Sequence, residues 1–216
     1  MNLFYLPVGK SQLAISSRDA KADAPPAATA TKILDLAEQL AQRRGFAGFS
    51  YADIAARLGI TKASLHYHFP SKAGLGCALI ERYQTVFDRA LNAISSDARA
   101  NASTKLRRYV ALYEDVMVRD RMCLCGMLAA EYETLPEQMQ HGLRRFFDAN
   151  EHWLTVLLEK GRTEEAVMFS GSARDRARVL LGTLEGAMLI ARVYGDAKRF
   201  RSTALRVVGD LIPGKP

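Results

Sequence analysis

Residues 49–75 have the sequence FSYADIAARLGITKASLHYHFPSKAGL, and this stretch predicts two short helices joined by a tight turn. Ser50 stands three residues before Asp53, a capping-box-like spacing that starts a helix. The apolar face of that helix consists of Ile54, Ala55 and Leu58. Gly59 then supplies the conformational freedom that a tight turn requires.

A second short helix is predicted after the turn, with Thr61 as its N-cap and Leu65 facing inward. Two short helices joined by a glycine-containing turn are typical of the helix-turn-helix motif. In that motif the second helix lies in the major groove and presents its N-terminal side chains to base edges. The residues predicted to contact DNA are Ser50, Thr61, Lys62, Ala63, Ser64, His66, Tyr67 and Lys72.

These predicted contacts differ in chemistry. Lys62 can donate to guanine O6 and N7, and Ala63 is small enough to approach a thymine methyl group. His66 and Tyr67 lie further along the helix, where contacts to phosphate or sugar are expected. Lys72 stands at the start of the next predicted helix, and a helix N-terminus with a lysine predicts a phosphate clamp.

The stretch resembles the helix-turn-helix of the TetR (tetracycline-repressor) family, whose usual form is roughly Ser/Thr-x-x-x-Ile-Ala-x-x-x-Gly-Val-Ser-x-x-x-Leu-Tyr-x-His-Phe-x-x-Lys-x-x-Leu. The residues that carry the resemblance are Ser50, Ile54-Ala55, Gly59-Ile60-Thr61, Leu65, His68-Phe69, Lys72 and Leu75. His66 departs from the family, which usually has tyrosine there at a DNA-backbone contact. The resemblance covers residues 29–90 and implies a homodimeric repressor that binds double-stranded operator DNA and is released by a small-molecule effector.

The remaining sequence has a helical pattern almost throughout. Apolar residues recur at intervals of three and four from Thr31 onward, and strand-like alternation is nowhere sustained, so the predicted fold class is all-α. Helices are predicted over 71–94, 103–118, 124–134, 137–160, 173–194 and 198–211, with breaks at Pro136, Gly161, Gly171 and Gly195-Asp196. We therefore predict a flexible N-terminal arm at 1–28, a three-helix DNA-binding domain at 29–75 and a larger ligand-sensing and dimerisation domain at 76–216.

Composition and charge support a globular protein with a polyanionic partner. Hydrophobic residues make up 49% of the chain and charged residues 25%, and the formal net charge is +7. Residues 29–75 carry six basic and three acidic side chains. This excess agrees with DNA as the partner, although a non-specific architectural DNA binder would show the same charge.

The sequence shows none of the patterns that indicate an enzyme. It has no paired carboxylates, nucleophile–base set, metal-ligand spacing or phosphate loop, so neither catalysis nor a cofactor or metal is predicted. An export signal and a membrane span are also missing, because the most apolar late run, residues 179–191, is too short and carries Glu185 at its middle. These observations predict a cytoplasmic protein without a membrane partner.

The second domain offers candidates for an effector pocket. Apolar and aromatic side chains that could line it are Tyr113, Met117, Cys123, Met127, Trp153 and Met188. The same residues are equally typical of an ordinary helical core. The segments MCLCGMLAAEYETLP (122–136) and GTLEGAMLIARVYGD (182–196) resemble one subgroup of the TetR family.

Cys123 supports an alternative sensing mechanism. Arg119, Arg121 and a nearby helix N-terminus would lower the pKa of its thiol, which predicts a repressor that senses electrophiles or oxidants through this cysteine. A buried, unreactive thiol is the other interpretation.

Two late helices predict the dimer interface. Residues 173–194 carry a wide apolar stripe, and Gly182 and Gly186 would allow another helix to approach closely. The stripe consists of Leu180, Leu181, Leu184, Ala187, Met188 and Ala191. A helix pair from each subunit would form a four-helix interface, and the alternative is a monomer that folds this stripe inward.

Overall fold

The computed structural model describes residues 26–214 and contains only helices in that range, which confirms the all-α fold class. The helices are α1 (Pro26–Arg44), α2 (Tyr51–Leu58), α3 (Lys62–His68), α4 (Lys72–Ser96), α5 (Ala102–Val118), α6 (Leu124–Ala129), α7 (Glu137–Thr163), α8 (Ala173–Val193) and α9 (Ala197–Gly209). A 3-10 turn, Tyr132–Thr134, follows α6. The predicted arm lies outside the described residues except for 26–28, which form the first turn of α1.

Helices α1 to α3 form a small unit, here called the head, and local sequence signals set its geometry. Ser50 caps α2 by accepting a hydrogen bond from the Asp53 backbone, and the Asp53 carboxylate accepts one in return from the Ser50 backbone at 2.7 Å. This confirms the predicted capping box. Gly59 ends α2 in the left-handed region at φ 65°, where glycine is favoured. Thr61 caps α3, as predicted.

Helix α4 connects the head to the larger helical domain through one continuous apolar core. Leu75 and Leu79, near its start, are buried with the head residues Ile54 and Leu65. Further along, the ring of Phe87 packs edge-on against aromatic rings of α5 and α7. The predicted domain boundary at residues 75/76 therefore falls inside one continuous helix that packs against both units.

Two predicted helix ends differ from the structure. Helix α7 continues through Gly161 to Thr163, because this buried glycine accommodates a close neighbour: an added Cβ would lie 2.4 Å from the Ala102 Cβ. The predicted helix 124–134 is instead α6 followed by the separate 3-10 turn. Between them, Glu131 leaves the helix and accepts a hydrogen bond from the backbone of Ala47 in the head at 2.9 Å.

The apolar stripe assigned to the dimer interface is largely buried inside the subunit itself. Of its six members only Ala187 is partly exposed; Leu180, Leu181, Leu184, Met188 and Ala191 belong to the core. A second stripe of α8 faces outward instead, and its members are Val179, Gly182, Gly186, Leu189, Ile190 and Val193. The exposed apolar face of α8 therefore differs from the stripe that the sequence analysis assigned to the dimer interface.

Between residues 26 and 214, no helix is both long enough and apolar enough to cross a membrane.

Candidate DNA-binding surface and sensor domain

Helix α3 presents one polar face to solvent. Leu65 is fully buried and fixes the helix on the head, so the side chains on the opposite face point outward. The exposed side chains are Thr61, Lys62, Ala63, His66 and Tyr67, while Ser64 is half-buried. Tyr67 is the most prominent, with 76% of its surface exposed. These predicted contact residues therefore lie together on one accessible surface.

The charges of the head leave this surface positive. Arg82 of α4 binds Asp35 at 2.6 Å and Glu38 at 2.5 Å, so its positive charge offsets one of their two negative charges. Asp53 is engaged in the capping box, and its hydrogen bonds with Ser50 lower its pKa. In the described part of the chain, the exposed basic residues Lys32, Arg44, Arg57 and Lys62 have no ion pair within 4.0 Å.

Two residues assigned to DNA contact have other partners. The Lys72 ammonium donates to the Phe49 carbonyl oxygen at 2.6 Å and lies 4.8 Å and 4.7 Å from the ring centroids of Phe46 and Phe49. This inward position differs from the one expected for a phosphate clamp, because the aromatic rings and the carbonyl attract the cation. Burial also lowers the pKa of Lys72. The Ser50 hydroxyl is occupied by the α2 cap.

His66 occupies the position where the TetR-family pattern usually has tyrosine. Its ring contacts Tyr51 and the backbone of Pro70. It lies 4.8 Å from the ring of Tyr51, and its Nδ1 is 3.3 Å from the Pro70 carbonyl oxygen. Tyr51 is fixed in turn because its hydroxyl donates to the Phe69 carbonyl at 2.8 Å. The exposed imidazole is therefore held in place on the outer face of α3.

The six residues predicted to line an effector pocket are dispersed. Tyr113, Cys123 and Met188 are packed in the core, whereas Met117, Met127 and Trp153 are half-buried. Trp153 stacks on Tyr109 at 5.3 Å and donates to the Ser95 hydroxyl at 2.8 Å. Met117 lines a cleft of about 410 Å³ between α5 and the turn from α8 to α9. Of these residues only Met117 lines that cleft, so the shared pocket remains a prediction.

A polar cluster lies in the core of the larger domain, beside both buried cysteines. The Oε1 atom of Glu185 is buried without a hydrogen-bond partner, and burial raises the pKa of this carboxyl to about 7. The other carboxyl oxygen fills the space above Gly126, where an added Cβ would be only 2.2 Å away. The sequence signal for this cluster is the single glutamate within an apolar run.

The environment of Cys123 contradicts the predicted low-pKa thiol. Burial, followed by the negative charge of Glu185, raises the pKa of the Cys123 thiol well above its usual value. Arg119 is paired with Asp115 at 2.9 Å and does not act on the sulfur. Burial and Glu185 also raise the pKa of Cys125. Neither thiol has the accessible thiolate character that chemical sensing requires.

The junction segment, residues 119–122, joins the head to the larger domain. The Arg43 side chain, near the end of α1, donates to the carbonyl oxygens of Asp120 at 3.2 Å and Arg119 at 3.4 Å. The Met122 backbone donates to the Gln42 carbonyl at 3.3 Å. From α8, Arg192 donates to the Arg43 carbonyl oxygen. These contacts join residues 76 to 149 positions apart, and no local sequence signal predicts them.

Comparisons with known proteins agree with this architecture. Residues 33–78 match the family described as bacterial regulatory proteins, tetR family. A TetR-family transcriptional regulator from Agrobacterium tumefaciens is 33% identical, with a TM-score of 0.84, over 87% of this chain and 100% of that one. A TetR transcriptional regulator from Legionella pneumophila is 30% identical, with a TM-score of 0.74, over 83% of this chain and 95% of that one.

Among curated relatives, the transcriptional regulator AcuR of Cereibacter sphaeroides is 32% identical over 103 residues, which is 46% of this chain and 47% of AcuR. The match thus spans about half the length of that relative. The structural matches to the Agrobacterium and Legionella proteins extend over nearly the whole of those chains, including the larger helical domain. The chain belongs to the TetR family of bacterial transcriptional regulators, DNA-binding proteins of the repressor type.

Proposed function

We propose that this protein binds a two-fold symmetric operator as a homodimer and is released from it by a small-molecule effector. The observation that carries the proposal is the exposed face of α3, where Lys62, Ala63 and Tyr67 stand outward on a helix fixed by Thr61 and Leu65. A helix held in this way can enter the major groove without losing its own packing.

The residues of this surface divide between reading bases and holding the backbone. Lys62 and Ala63 lie in the first turn of α3 and are proposed to contact base edges. Thr61, Ser64, His66 and Tyr67 are proposed to contact phosphate or sugar. The backbone amides at the start of α4 remain a proposed phosphate site, and we propose that the Lys72 side chain, which donates to the Phe49 carbonyl, does not contribute to it.

The outward stripe of α8 supports a homodimer. It runs from Val179 to Val193 and exposes 50% of Val179, 53% of Ile190 and 80% of Val193. Nothing lies within 4 Å of a Cβ built on Gly182 or Gly186, so a second helix can approach the backbone there. An apolar helical surface of this length is best covered by the same surface of a second subunit.

We therefore propose two domains. The head, α1 to α3, binds DNA, and helices α4 to α9 bind the effector and form the dimer. Membership of the subgroup marked by the Cys-Leu-x-Gly segment also remains a proposal. The thiol-sensing alternative is not favoured, because burial and Glu185 hold Cys123 in its protonated form.

Binding to DNA from the protein's own upstream region tests the function. Wild-type protein should bind one site there far more tightly than competitor DNA, and Lys62→Ala should weaken that binding by about 1–3 kcal/mol and relax the base preference at one position of each half-site. Fluorescence anisotropy with a set of single-base operator variants measures both effects. Lys198→Ala, on exposed α9, is the matched control and should bind as wild type.

Two results would count against the proposal. Equal affinity for every DNA sequence would identify a non-specific DNA binder instead. Unchanged operator affinity and base preference in Lys62→Ala would remove α3 as the reading helix in the orientation proposed here.

A further inference from the structure

The cleft of about 410 Å³ lies where the junction segment meets the end of α8 and the start of α9. Its volume is within the range of small-molecule pockets, about 300–1,000 Å³. Met117, Met122 and Ala191 provide apolar surface, and Arg121 and Arg192 provide the basic groups. The site therefore combines an apolar wall with two guanidinium groups.

Neither arginine has an acidic partner. The Nε atom of Arg121 is buried without any hydrogen-bond partner, and Arg192 donates only to neutral groups, the Arg43 carbonyl and the Met127 sulfur. Within residues 26–214, no carboxylate lies within 4.0 Å of either guanidinium. Two guanidinium groups without an ion pair at one cleft can bind an anion through their free N–H groups.

The two acidic residues of the cleft are already engaged elsewhere. Asp120 pairs with Arg43 at 3.7 Å, and the Asp196 carboxylate accepts a hydrogen bond from the Lys198 backbone at 2.9 Å as the cap of α9. They do not neutralise the arginines. The two guanidinium groups are therefore the hydrogen-bond donors that a ligand meets in this cleft, next to methionine and alanine surface.

We infer that this cleft binds a small organic anion, a monocarboxylate with a short apolar body. The carboxylate would lie between Arg121 and Arg192, because planar guanidinium groups bind carboxylates through paired hydrogen bonds. The apolar body would cover Met117, Met122 and Ala191. The binding site stands on the geometry of the cleft, while its regulatory role rests on the proposed function.

The contacts of Arg192 connect the cleft to the head. Arg192 donates to the carbonyl of Arg43 in the last turn of α1, and Arg43 itself holds the Asp120 carbonyl at 3.2 Å. A carboxylate competes for the Arg192 guanidinium with a stronger, charge-assisted hydrogen bond than a carbonyl makes. Ligand binding would therefore draw Arg192 away from α1 and release one of the contacts that orient the head.

The test uses full-length protein without DNA. Sodium hexanoate and sodium benzoate serve as the anionic probes, 1-hexanol and benzyl alcohol as uncharged probes of the same shape, and hexylamine as the cationic probe. Titration calorimetry should show that the carboxylates bind and that the alcohols and the amine do not. Arg121→Gln should weaken carboxylate binding by about tenfold or more, because it removes a charged hydrogen-bond donor.

Two further variants keep the test interpretable. Arg206→Gln is the matched control, since this exposed arginine pairs with Asp210 on α9 and lies outside the cleft; its carboxylate affinity should equal that of wild type. Arg192→Lys keeps the charge but loses the paired geometry, and we expect weakened binding. If either cleft variant does not fold, the preference of the wild-type protein for carboxylates over alcohols still tests whether the cleft binds anions.

DNA binding is measured separately, at constant ionic strength with sodium chloride in place of the carboxylate salt, because protein–DNA affinity depends on salt. Hexanoate should lower the operator affinity of wild type and leave that of Arg121→Gln unchanged.

Carboxylates that do not bind, or alcohols that bind equally well, would overturn the anion site and leave the proposed function intact. Carboxylate binding without any change in DNA affinity would overturn the link through Arg192. A protein that binds carboxylates but never binds DNA would refute the proposed function and leave the anion site intact.

Discussion

Lys72, the first residue of α4, turns its side chain toward the head rather than toward solvent. Its ammonium group lies over the rings of Phe46 and Phe49 and donates to a carbonyl oxygen of the same turn. These contacts attach the start of α4 to the turn between α1 and α2. Lys72 thus orders the surface that carries α3 without belonging to it.

We expect Lys72→Ala to destabilise the protein by about 1–2 kcal/mol, the sum of a cation–π contact and one charged hydrogen bond at a partly exposed site. Chemical unfolding followed by circular dichroism measures this loss. The dependence of DNA affinity on salt should keep its wild-type slope, because no phosphate contact is removed. A slope reduced by about one unit, with stability unchanged, would return Lys72 to the DNA interface.

Glu185 makes stability depend on pH. Its pKa is 4.5 in the unfolded chain and about 7 in the fold, because burial disfavours the charged carboxylate. The folded state therefore binds the proton more tightly, so the contribution is fully present below pH 4.5 and is lost as the pH rises through 7. We expect the free energy of unfolding to fall by about 3 kcal/mol from this group between pH 4.5 and pH 8.

Glu185→Gln tests that assignment, since the amide has nearly the same shape and does not titrate in this range. Denaturant unfolding at several pH values should show a smaller decrease for this variant than for wild type. At pH 8 the variant should also be the more stable protein. Identical pH profiles for the two proteins would mean that Glu185 does not titrate as the structure indicates.

At the scale of elements, local signals predicted the DNA-binding motif well. Ser50, Gly59 and Thr61 act within four residues of their own positions, so their capping and turn roles are visible in the sequence and confirmed in the structure. Gly161 shows the limit of that approach. Its effect depends on Ala102, which lies on another helix, and so the sequence could not distinguish a helix end from a close helix contact.

For helix α8, too, the sequence could not show which of its two apolar faces is buried. The residues of both stripes are apolar, and a period of 3.6 identifies the stripes without saying which one faces the core. Leu184 and Met188 are buried, whereas Leu189 and Ile190 are exposed, although all four are similar in hydrophobicity. The choice depends on α5, α7 and α9, which pack against α8 and come from other parts of the sequence. The effector cleft escaped prediction for a similar reason, because its residues come from separate segments.

For the whole molecule, the dimer is what would convert contacts inside one subunit into control of DNA binding. Two heads reach successive major grooves only when their separation is fixed, and in this proposal α8 fixes it. Arg192 lies near the end of that helix and contacts the last turn of α1. The outward stripe and the head contact thus belong to one helix, so a small shift at the cleft would change the position of the head relative to the dimer axis.

The last prediction concerns the outward stripe itself. Wild-type protein should behave as a dimer, at about twice 23.9 kDa. Gly186→Leu should produce monomers, because its side chain fills the space that a second α8 needs. The subunit tolerates the change, since nothing lies within 4 Å of this position and leucine favours a helix more than glycine does. Light scattering measures the mass, and circular dichroism checks that the helix content is retained.

Ala111→Leu is the matched control for that experiment, because it also adds a large apolar side chain at an exposed position, on α5 and outside the stripe. We expect this variant to remain a dimer. The Gly186→Leu monomer should also lose most of its operator affinity, since one head contributes the contacts of a single half-site and gains nothing from a linked second head. A Gly186→Leu protein that still scatters as a dimer would place the subunit interface elsewhere on the surface, and with it the element that sets the spacing of the heads.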